Sequence, residues 1–391
     1  SGSGRAIRSG QINRLQGVLS IAIAVTLATS LVLVLLWRNL RIFGEMPASL
    51  FAFMAILFTS GLDVGLIMFP LTEFPVYAKE APYRFANPLA IEFGFWGFLV
   101  WMFYFLTTFY FCVVEPRVKL FEIPAIRFFN NLVVIGTCAF TGFLFLSYLP
   151  NYIHGISDPA RFGLVAVVVL CAVVSSTDLT FVKILSVAST WLFFALIGLM
   201  WVHSGMSLAG FFSVFSQLGD YFGNLERFVL PLTDYHAFYL FWWFSWSIMI
   251  GQFVSRFVGG LKTWQLLVAL LVIPSIPIAV WFSVLYYYYT EHIAISPLYN
   301  LAMVVVGVVF VINSLDSLMR LYSDNLNLTV ARFGRRNYII GNWALMYGLI
   351  LLYQFTPLRI EWIGLMVIGI YLTIYVMLFL RHRPSRRAHR L

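Results

Sequence analysis

The sequence has little charge and few cysteines. Of its 391 residues, 10% are Asp, Glu, Lys or Arg and 61% are hydrophobic, which excludes a water-soluble globular domain because such a chain could not cover its surface with polar groups. Its three cysteines, Cys112, Cys138 and Cys171, each lie inside an apolar run and are interpreted as small packing residues. The sequence contains no metal-ligand spacing, phosphate-binding loop or paired nucleophile and base, so we predict no enzyme activity.

Apolar runs long enough to cross a bilayer recur along the whole chain. A spanning helix needs about 20 residues, and these runs lack the alternating pattern of an outer-membrane barrel. We therefore predict an all-α polytopic membrane protein with about eleven spans. The predicted spans lie near residues 17–37, 49–78, 92–113, 128–149, 160–178, 182–203, 236–257, 264–289, 297–320, 337–354 and 359–380.

Three segments fall outside the spans. Residues 1–16 form a basic lead, which opens with Ser-Gly-Ser-Gly, a composition typical of an artificial linker. Residues 204–235 are more polar and are predicted to form an extramembrane link with amphipathic helices. Residues 381–391 form a basic tail.

The basic residues predict the orientation. Most of the 25 Lys and Arg lie on the side of the C-terminal tail, so the positive-inside rule places the C-terminus in the cytoplasm. We therefore interpret the net charge of +9 as a surface that contacts anionic lipid, and we predict no nucleic-acid binding. An odd number of spans leaves Arg5, Arg8 and Arg14 on the opposite side, so either a preceding helix is missing from this chain or the span count is wrong by one.

Two blocks of five spans remain when the first span and the polar link are set aside. They cover residues 49–203 and 236–380, and five spans in each block give the second an inverted topology. Transporters built in this way bind their substrate at mid-membrane between the helices that open the two blocks. The first opening segment contains Gly61, Gly65 and Pro70, which predict a broken helix.

The second block opens with three clustered tryptophans, Trp242, Trp243 and Trp246. Their spacings of three and four residues place all three indoles on one helical face. Tryptophan usually gathers at the membrane surface, whereas this cluster lies well inside its span, which favours a binding site over a membrane anchor.

A second aromatic set, Trp96, Trp101 and Tyr104, falls within about 140° of arc on a regular helix. Two such walls can close an aromatic box around a quaternary ammonium, which ring faces attract at about 2 kcal/mol or more for each desolvated contact. The alternative is ordinary packing, because the chain contains 39 Phe and 20 Tyr.

Residues 241–251, FWWFSWSIMIG, resemble the signature helix of the betaine/choline/carnitine transporter family, with its WWxSWxxxxG core. The residues from Trp96 to Tyr104 match the WxxxxWxxY of another helix of that family. Further similar segments follow in the same order along the chain: Glu45-Met46-Pro47, residues 54–58, residues 61–66, Glu73, Pro82, residues 183–186 and residues 311–317.

The resemblance implies a LeuT-type five-plus-five inverted repeat with one extra N-terminal helix, residues 17–37. It implies import of a betaine-like solute across the bacterial cytoplasmic membrane by alternating access, driven by a sodium or proton gradient, in a homotrimer. No cofactor is implied beyond the coupling ion. The implied substrate site is formed by Trp96, Trp101, Tyr104, Trp242, Trp243, Trp246 and the broken-helix residues Gly61, Leu62 and Asp63.

The resemblance also implies a sodium site between the broken helix and a serine-rich helix. Its ligands would be the backbone carbonyls of Thr59 and Leu62 and the side chains of Asn313 and Ser314. Carbonyl and hydroxyl oxygens suit a hard cation.

This sequence departs from the family pattern in three respects. Family members usually have twelve spans and long terminal extensions, and Asp63 here replaces the middle glycine of a GMG element. A mid-membrane carboxylate is a functional candidate. We therefore predict that Asp63 carries the coupling proton or pairs with a cationic substrate; the alternative is that it caps the second half-helix.

These departures leave a second function open, a transport-incompetent relative that serves as a membrane scaffold or sensor subunit. Two other groups receive structural interpretations. Asp316 and Arg320, four residues apart, predict a helix pair or gate element, and Glu92 is predicted to interact with the dipole at a helix start.

Overall fold

The computed structural model describes residues 2–62 and 64–382, with side chains from Arg14 onward. Ser1, Asp63 and the basic tail from residue 383 lie outside the described residues. The first half contains helices α1 Gly2–Trp37, α2 Leu50–Gly61, α3 Gly65–Met68, α4 Pro70–Lys79, α5 Pro88–Trp96, α6 Trp101–Phe109, α7 Glu115–Val118, α8 Pro124–Tyr152, α9 Asp158–Ser175 and α10 Thr180–Ser204. The second half contains α11 Leu208–Phe215, α12 Gly219–Gly223, α13 Asp234–Val254, α14 Thr263–Val272, α15 Ser275–Thr290, α16 Pro297–Asn325, α17 Val330–Phe333, α18 Arg335–Phe355 and α19 Ile360–His382.

The predicted all-α polytopic membrane class is confirmed. Within the described residues, 10 helical stretches are long and apolar enough to cross a membrane, and they coincide with ten of the predicted spans. Two of these stretches contain more than one helix: Pro88–Val118 comprises α5 to α7, and Thr263–Thr290 comprises α14 and α15. The remaining predicted span, residues 49–78, is interrupted and comprises α2, α3 and α4.

The break between α2 and α3 follows from its local sequence. Ser49 caps the start of α2 by accepting a hydrogen bond from the Ala52 amide, and the helix ends at Gly61 with Leu62 in an extended conformation. Pro70 begins α4, where its missing amide donor costs nothing. The broken helix predicted here is therefore confirmed, and its last carbonyls are released from helical bonding.

A second break, which the sequence did not predict, separates α5 from α6. Gly97 is extended, and Phe98 follows with a φ of 53°. A Cβ on Gly97 would lie 2.6 Å from the ring of Phe93, and the Phe98 amide donates to Ser275 Oγ at 2.9 Å. The span predicted near residues 92–113 is present as Pro88–Val118. The regular helix assumed for Trp96, Trp101 and Tyr104 is wrong, because this distant hydroxyl stabilises a turn at Gly97 and Phe98.

A small antiparallel pair lies outside the spans. Strand β1, Arg41–Phe43, follows α1 and pairs with β2, Gly259–Lys262, which follows α13. Arg41 Nη1 also donates to the carbonyl of Gly260 at 3.0 Å. The link after the first span is thus tied to the end of the tryptophan helix.

Helix α13 lies at the centre of the molecule. Its most apolar stretch is 89% buried, against 28% for α19. Small residues permit its close contacts. A Cβ on Gly251 would overlap with Thr107 Oγ1, and a Cβ on Gly364 of α19 would lie 2.6 Å from the carbonyl of Phe241. Such small residues allow helix backbones to approach closely in membranes.

We expect Gly251→Ala to destabilise the protein by about 1 to 3 kcal/mol, the range for overpacking. The backbone carbon of Thr107 lies only 2.8 Å from the added Cβ, so α6 and α13 must separate. The midpoint of thermal unfolding in detergent measures this loss. The matched control is Gly369→Ala, where a Cβ meets nothing within 4 Å. Equal midpoints for the two variants would contradict the prediction.

Candidate functional site

The two breaks and helix α13 enclose one small cavity near the centre of the molecule. Its lining comprises Gly61, Leu62, Trp96, Tyr104, Trp242, Trp243 and Trp246. The structure therefore brings together seven of the nine predicted substrate-binding residues. Trp101 lies behind the wall, and Asp63 lies outside the described residues.

The rings form edge-to-face walls. The Trp96 ring centroid lies 5.4 Å from that of Trp242 and 6.1 Å from that of Trp243, with interplanar angles of 83° and 76°. Tyr104 lies 5.5 Å from Trp243 at 61°. Such geometry is favourable for aromatic quadrupoles and leaves ring faces directed toward neighbouring groups.

The second helix break positions these rings. Because α5 ends at Trp96 and Gly97 is extended, the carbonyls of Phe95 and Trp96 have no helical donor. Trp243 Nε1 donates to Phe95 at 2.7 Å, and Trp101 Nε1 donates to Trp96 at 3.0 Å. The missed break therefore orients two of the predicted tryptophans, which a regular helix would not have done.

The first break is linked to the same walls. Tyr104 Oη donates to the carbonyl of Gly61 at 2.6 Å. The Trp101 ring is fully buried and packs 5.2 Å from Tyr104 and 6.0 Å from Trp243. Trp101 thus supports the box from behind without lining it.

Two indole groups of the box lack acceptors. Trp242 Nε1 and Trp246 Nε1 are buried and have no hydrogen-bond partner among the described residues. A buried donor left unpaired costs about 1 to 3 kcal/mol. An acceptor group on a bound molecule would remove that cost.

The cavity is closed in this conformation. It contains about 200 Å³ of empty space. Sites for small molecules typically measure roughly 300–1,000 Å³. A small molecule would therefore fit here only if the rings moved apart.

Sequence reasoning missed several aromatic neighbours of the box. The Phe69 ring lies 6.2 Å from Trp96 and 6.1 Å from Trp242, at the junction of α3 and α4. Tyr239 lies 5.5 Å from Trp96. The position of Phe69 immediately before Pro70 in the broken helix was the available signal. Tyr239 lies three residues before Trp242, so helical periodicity could have included it.

Three of the four predicted sodium ligands converge. Ser314 Oγ donates to the Leu62 carbonyl at 3.0 Å and to the Thr59 carbonyl at 3.5 Å. These neutral oxygens fit a hard monovalent cation, and rotation of the hydroxyl would present its lone pairs. The described residues contain no group of three His, Cys, Asp or Glu that could hold a metal ion.

The fourth predicted ligand, Asn313, is engaged elsewhere. Its amide nitrogen donates to Ser189 Oγ and to the Val309 carbonyl, and its oxygen accepts from Ser186 Oγ at 3.4 Å. Asn313 therefore connects α16 to α10 and does not join Ser314 at the end of α2.

Asp316 and Arg320 form the predicted helix pair. Arg320 Nε donates to Asp316 Oδ1 at 2.6 Å, and both side chains are buried. Arg320 also donates to the carbonyls of Ser175 and Asp178, and Ser175 Oγ donates to Asp316. The pair thus connects α16 to the turn between α9 and α10.

The chain is similar in sequence to one family of transporters and to several curated transporters. The model of the betaine/carnitine/choline transporter family matches residues 132–288. The chain is 23% identical over 291 residues to the glycine betaine transporter OpuD of Bacillus subtilis, covering 60% of this chain and 54% of the relative. It is 27% identical over 151 residues to a glycine betaine/proline/choline transporter of Vibrio parahaemolyticus, covering 34% of this chain and 26% of the relative.

These matches span about half or less of the length of the curated relatives. Among solved structures, a Na+-coupled sialic acid symporter in a substrate-bound outward-open state is similar, with a TM-score of 0.49 and 15% identity over 92% of this chain and 86% of that chain. The family match and the curated relatives support membership of this chain in the betaine/carnitine/choline transporter family.

Proposed function

We propose that this chain is a secondary transporter that imports a betaine-like zwitterion, a quaternary ammonium that also carries an acceptor group. The observation that carries the proposal is the cavity in which three tryptophans meet Trp96 and Tyr104. A quaternary ammonium offers no hydrogen-bond donor, so ring faces are its natural partners in a membrane interior.

The unpaired indoles of Trp242 and Trp246 support the zwitterionic part of the proposal. A carboxylate can accept from both indoles, and such charge-assisted hydrogen bonds are roughly twice as strong as neutral ones. The relatives described above are transporters of glycine betaine, proline and choline, which supports the same substrate class. The proposed site is thus an aromatic cage with two fixed donors.

We propose sodium or protons as the coupling ion. Thr59, Leu62 and Ser314 would hold sodium, and Asp63 would carry a proton or pair with the substrate cation. We also propose a homotrimer in the bacterial cytoplasmic membrane. Its C-terminus would lie inside the cell, because most Lys and Arg lie on that side. The same basic surface would contact anionic lipid.

Uptake by the purified chain in liposomes tests the function. We expect accumulation of labelled glycine betaine or choline under an inward sodium or proton gradient, and none without a gradient. Ser314→Ala should lower sodium-driven uptake at least tenfold because one of three converging oxygens is lost. Asp63→Asn should instead change the pH dependence of uptake. Failure of both gradients to drive uptake would overturn the proposal.

The engagement of Asn313 favours a second candidate, a binding subunit that senses the solute without transporting it. Because the Asn313 amide is bonded to Ser189 and Val309, only three of the four predicted cation ligands lie together at the end of α2. Ligand-dependent quenching of tryptophan fluorescence without uptake under any gradient would support this candidate.

A further inference from the structure

Two buried carboxyl groups lie beside the aromatic cavity. Glu73 in α4 is 4% exposed, and Glu92 in α5 is fully buried. Glu92 Oε1 accepts from Nε1 of Trp96, a cavity-lining ring, at 3.1 Å. The predicted role of Glu92 at a helix start does not describe this side chain, which faces the protein core.

Glu73 accepts two phenolic hydrogen bonds. Tyr239 donates to its Oε1 at 2.6 Å, and Tyr77 donates to its Oε2 at 2.7 Å. Both tyrosines are buried. Each oxygen of Glu73 therefore already has one neutral donor.

The second oxygen of Glu92 has no such donor. Oε2 is buried, and no described donor bonds it. The group within hydrogen-bonding reach is the carboxyl of Glu73. Two ionised carboxylates are both acceptors, so they can form a hydrogen bond only when one of them carries a proton.

No described basic side chain forms an ion pair with these carboxyl groups. The described ion pairs involve other acidic residues, and Lys79 at the end of α4 is exposed. His236 stacks 4.4 Å from Phe95 and accepts a hydrogen bond from the Leu232 amide through Nδ1. The other titratable side chains around the pair are tyrosines on the packed elements: Tyr77, Tyr83, Tyr148, Tyr152, Tyr235 and Tyr239.

Two adjacent buried carboxylates without a cation cannot both stay ionised at modest cost. Burial penalises each charge, and the two like charges repel in a low-dielectric interior. Binding one proton removes one charge and creates an O–H group that donates to the opposite carboxylate.

We propose that Glu73 and Glu92 share one proton and form a proton-binding site whose occupancy is linked to that of the aromatic cavity. The proton bonds to one carboxylate oxygen and leaves as a free proton, and no other bond changes. The linkage to the cavity rests on the proposed binding of a quaternary ammonium, whereas the shared proton does not.

Trp96 supplies the physical connection. It lines the cavity and donates to Glu92, so a bound cation lies near the carboxyl pair. The cation favours the doubly ionised pair, and its binding therefore releases the proton. By linkage, the affinity for a cationic ligand rises with pH, by up to about tenfold per pH unit while the pair titrates.

Infrared spectroscopy of the purified full chain tests the shared proton without any ligand. We expect a protonated-carboxyl band at neutral pH that shifts in heavy water, loses intensity in Glu92→Gln and keeps its intensity in Glu80→Gln, whose carboxylate is exposed. Glu73→Gln replaces Glu92→Gln as the test variant if Glu92→Gln does not fold. A wild-type spectrum without a protonated-carboxyl band at neutral pH, or a band of undiminished intensity in the variants of the pair, would overturn the proposal.

Binding measurements test the linkage. Choline affinity, followed by tryptophan fluorescence, should rise with pH in the wild type and in Glu80→Gln and stay constant in Glu92→Gln. The uncharged isostere 3,3-dimethylbutan-1-ol should bind independently of pH. A wild-type pH dependence in Glu92→Gln would overturn the linkage. Absence of all quaternary ammonium binding would overturn the proposed function and the linkage, while the infrared band would still decide the shared proton.

Discussion

Replacing Trp243 with alanine is expected to weaken the binding of choline or glycine betaine by about 30-fold or more. One desolvated ring contact with a quaternary ammonium is worth about 2 kcal/mol, which corresponds to that factor. The Trp243 ring contacts Trp96, Trp101 and Tyr104, so its removal also opens the opposing wall. Tryptophan fluorescence or isothermal calorimetry on the purified chain measures the loss.

Two further variants control for this result. Trp243→Phe retains a ring but loses the hydrogen bond to the Phe95 carbonyl, so we expect an intermediate loss. Trp191→Ala removes a tryptophan that is 59% exposed on the outer surface, and its binding should match the wild type. Equal affinity of Trp243→Ala and Trp191→Ala would show that the box does not bind the ammonium.

Replacing Arg320 with methionine is expected to destabilise the protein by about 3 to 5 kcal/mol, the cost of leaving a buried charge without its partner. Asp316 and Arg320 are only 2% and 6% exposed, and Arg320 also bonds the Ser175 carbonyl. Both the charge of Asp316 and the turn after α9 would lose their partner. The midpoint of thermal unfolding in detergent measures the effect.

A second ion pair of this protein provides the control. Arg256 and Asp324 lie 3.1 Å apart, but their side chains are 21% and 51% exposed. Exposed pairs contribute about 0 to 1 kcal/mol, so Arg256→Met should have a small effect. The double variant Asp316→Leu with Arg320→Met should recover stability, because apolar pairs often replace buried ion pairs without loss. A double variant as unstable as Arg320→Met would contradict this explanation.

The spans and the first helix break were predictable because their causes are local. Hydropathy over about 20 residues decides whether a helix crosses a bilayer. Gly61, Gly65 and Pro70 weaken a helix wherever they occur. The structure accordingly places the first break where the sequence predicts it.

The second break was not predictable from its own segment. A single glycine among aromatic residues is compatible with a helix, and nothing nearby marks Phe98 for a positive φ. The bond that holds the Phe98 amide comes from Ser275, 177 residues away. The predicted angular positions of Trp96 and Trp101 therefore assumed a helix that does not continue between them, although both rings still reach Trp243.

The contacts of Asn313 and Glu92 were likewise not predictable from their own segments. Asn313 follows the helical register of the serine-rich segment, but partners on α10 decide where its amide points. Glu92 lies in the fifth position of α5, where sequence alone is compatible with an exposed helix start. Its burial against Trp96 and Glu73 depends on how α4, α5 and α13 pack.

The sequence by itself determined the membrane class, the positions of the spans, the first break and the identity of the aromatic residues, because hydropathy and helix propensity act over neighbouring residues. Only the tertiary structure decided which rings enclose the cavity, which indoles have no acceptor among the described residues, and that Glu73 lies beside Glu92. Those properties depend on hydrogen bonds and packing between helices that are distant in the chain, and local sequence patterns do not indicate such contacts.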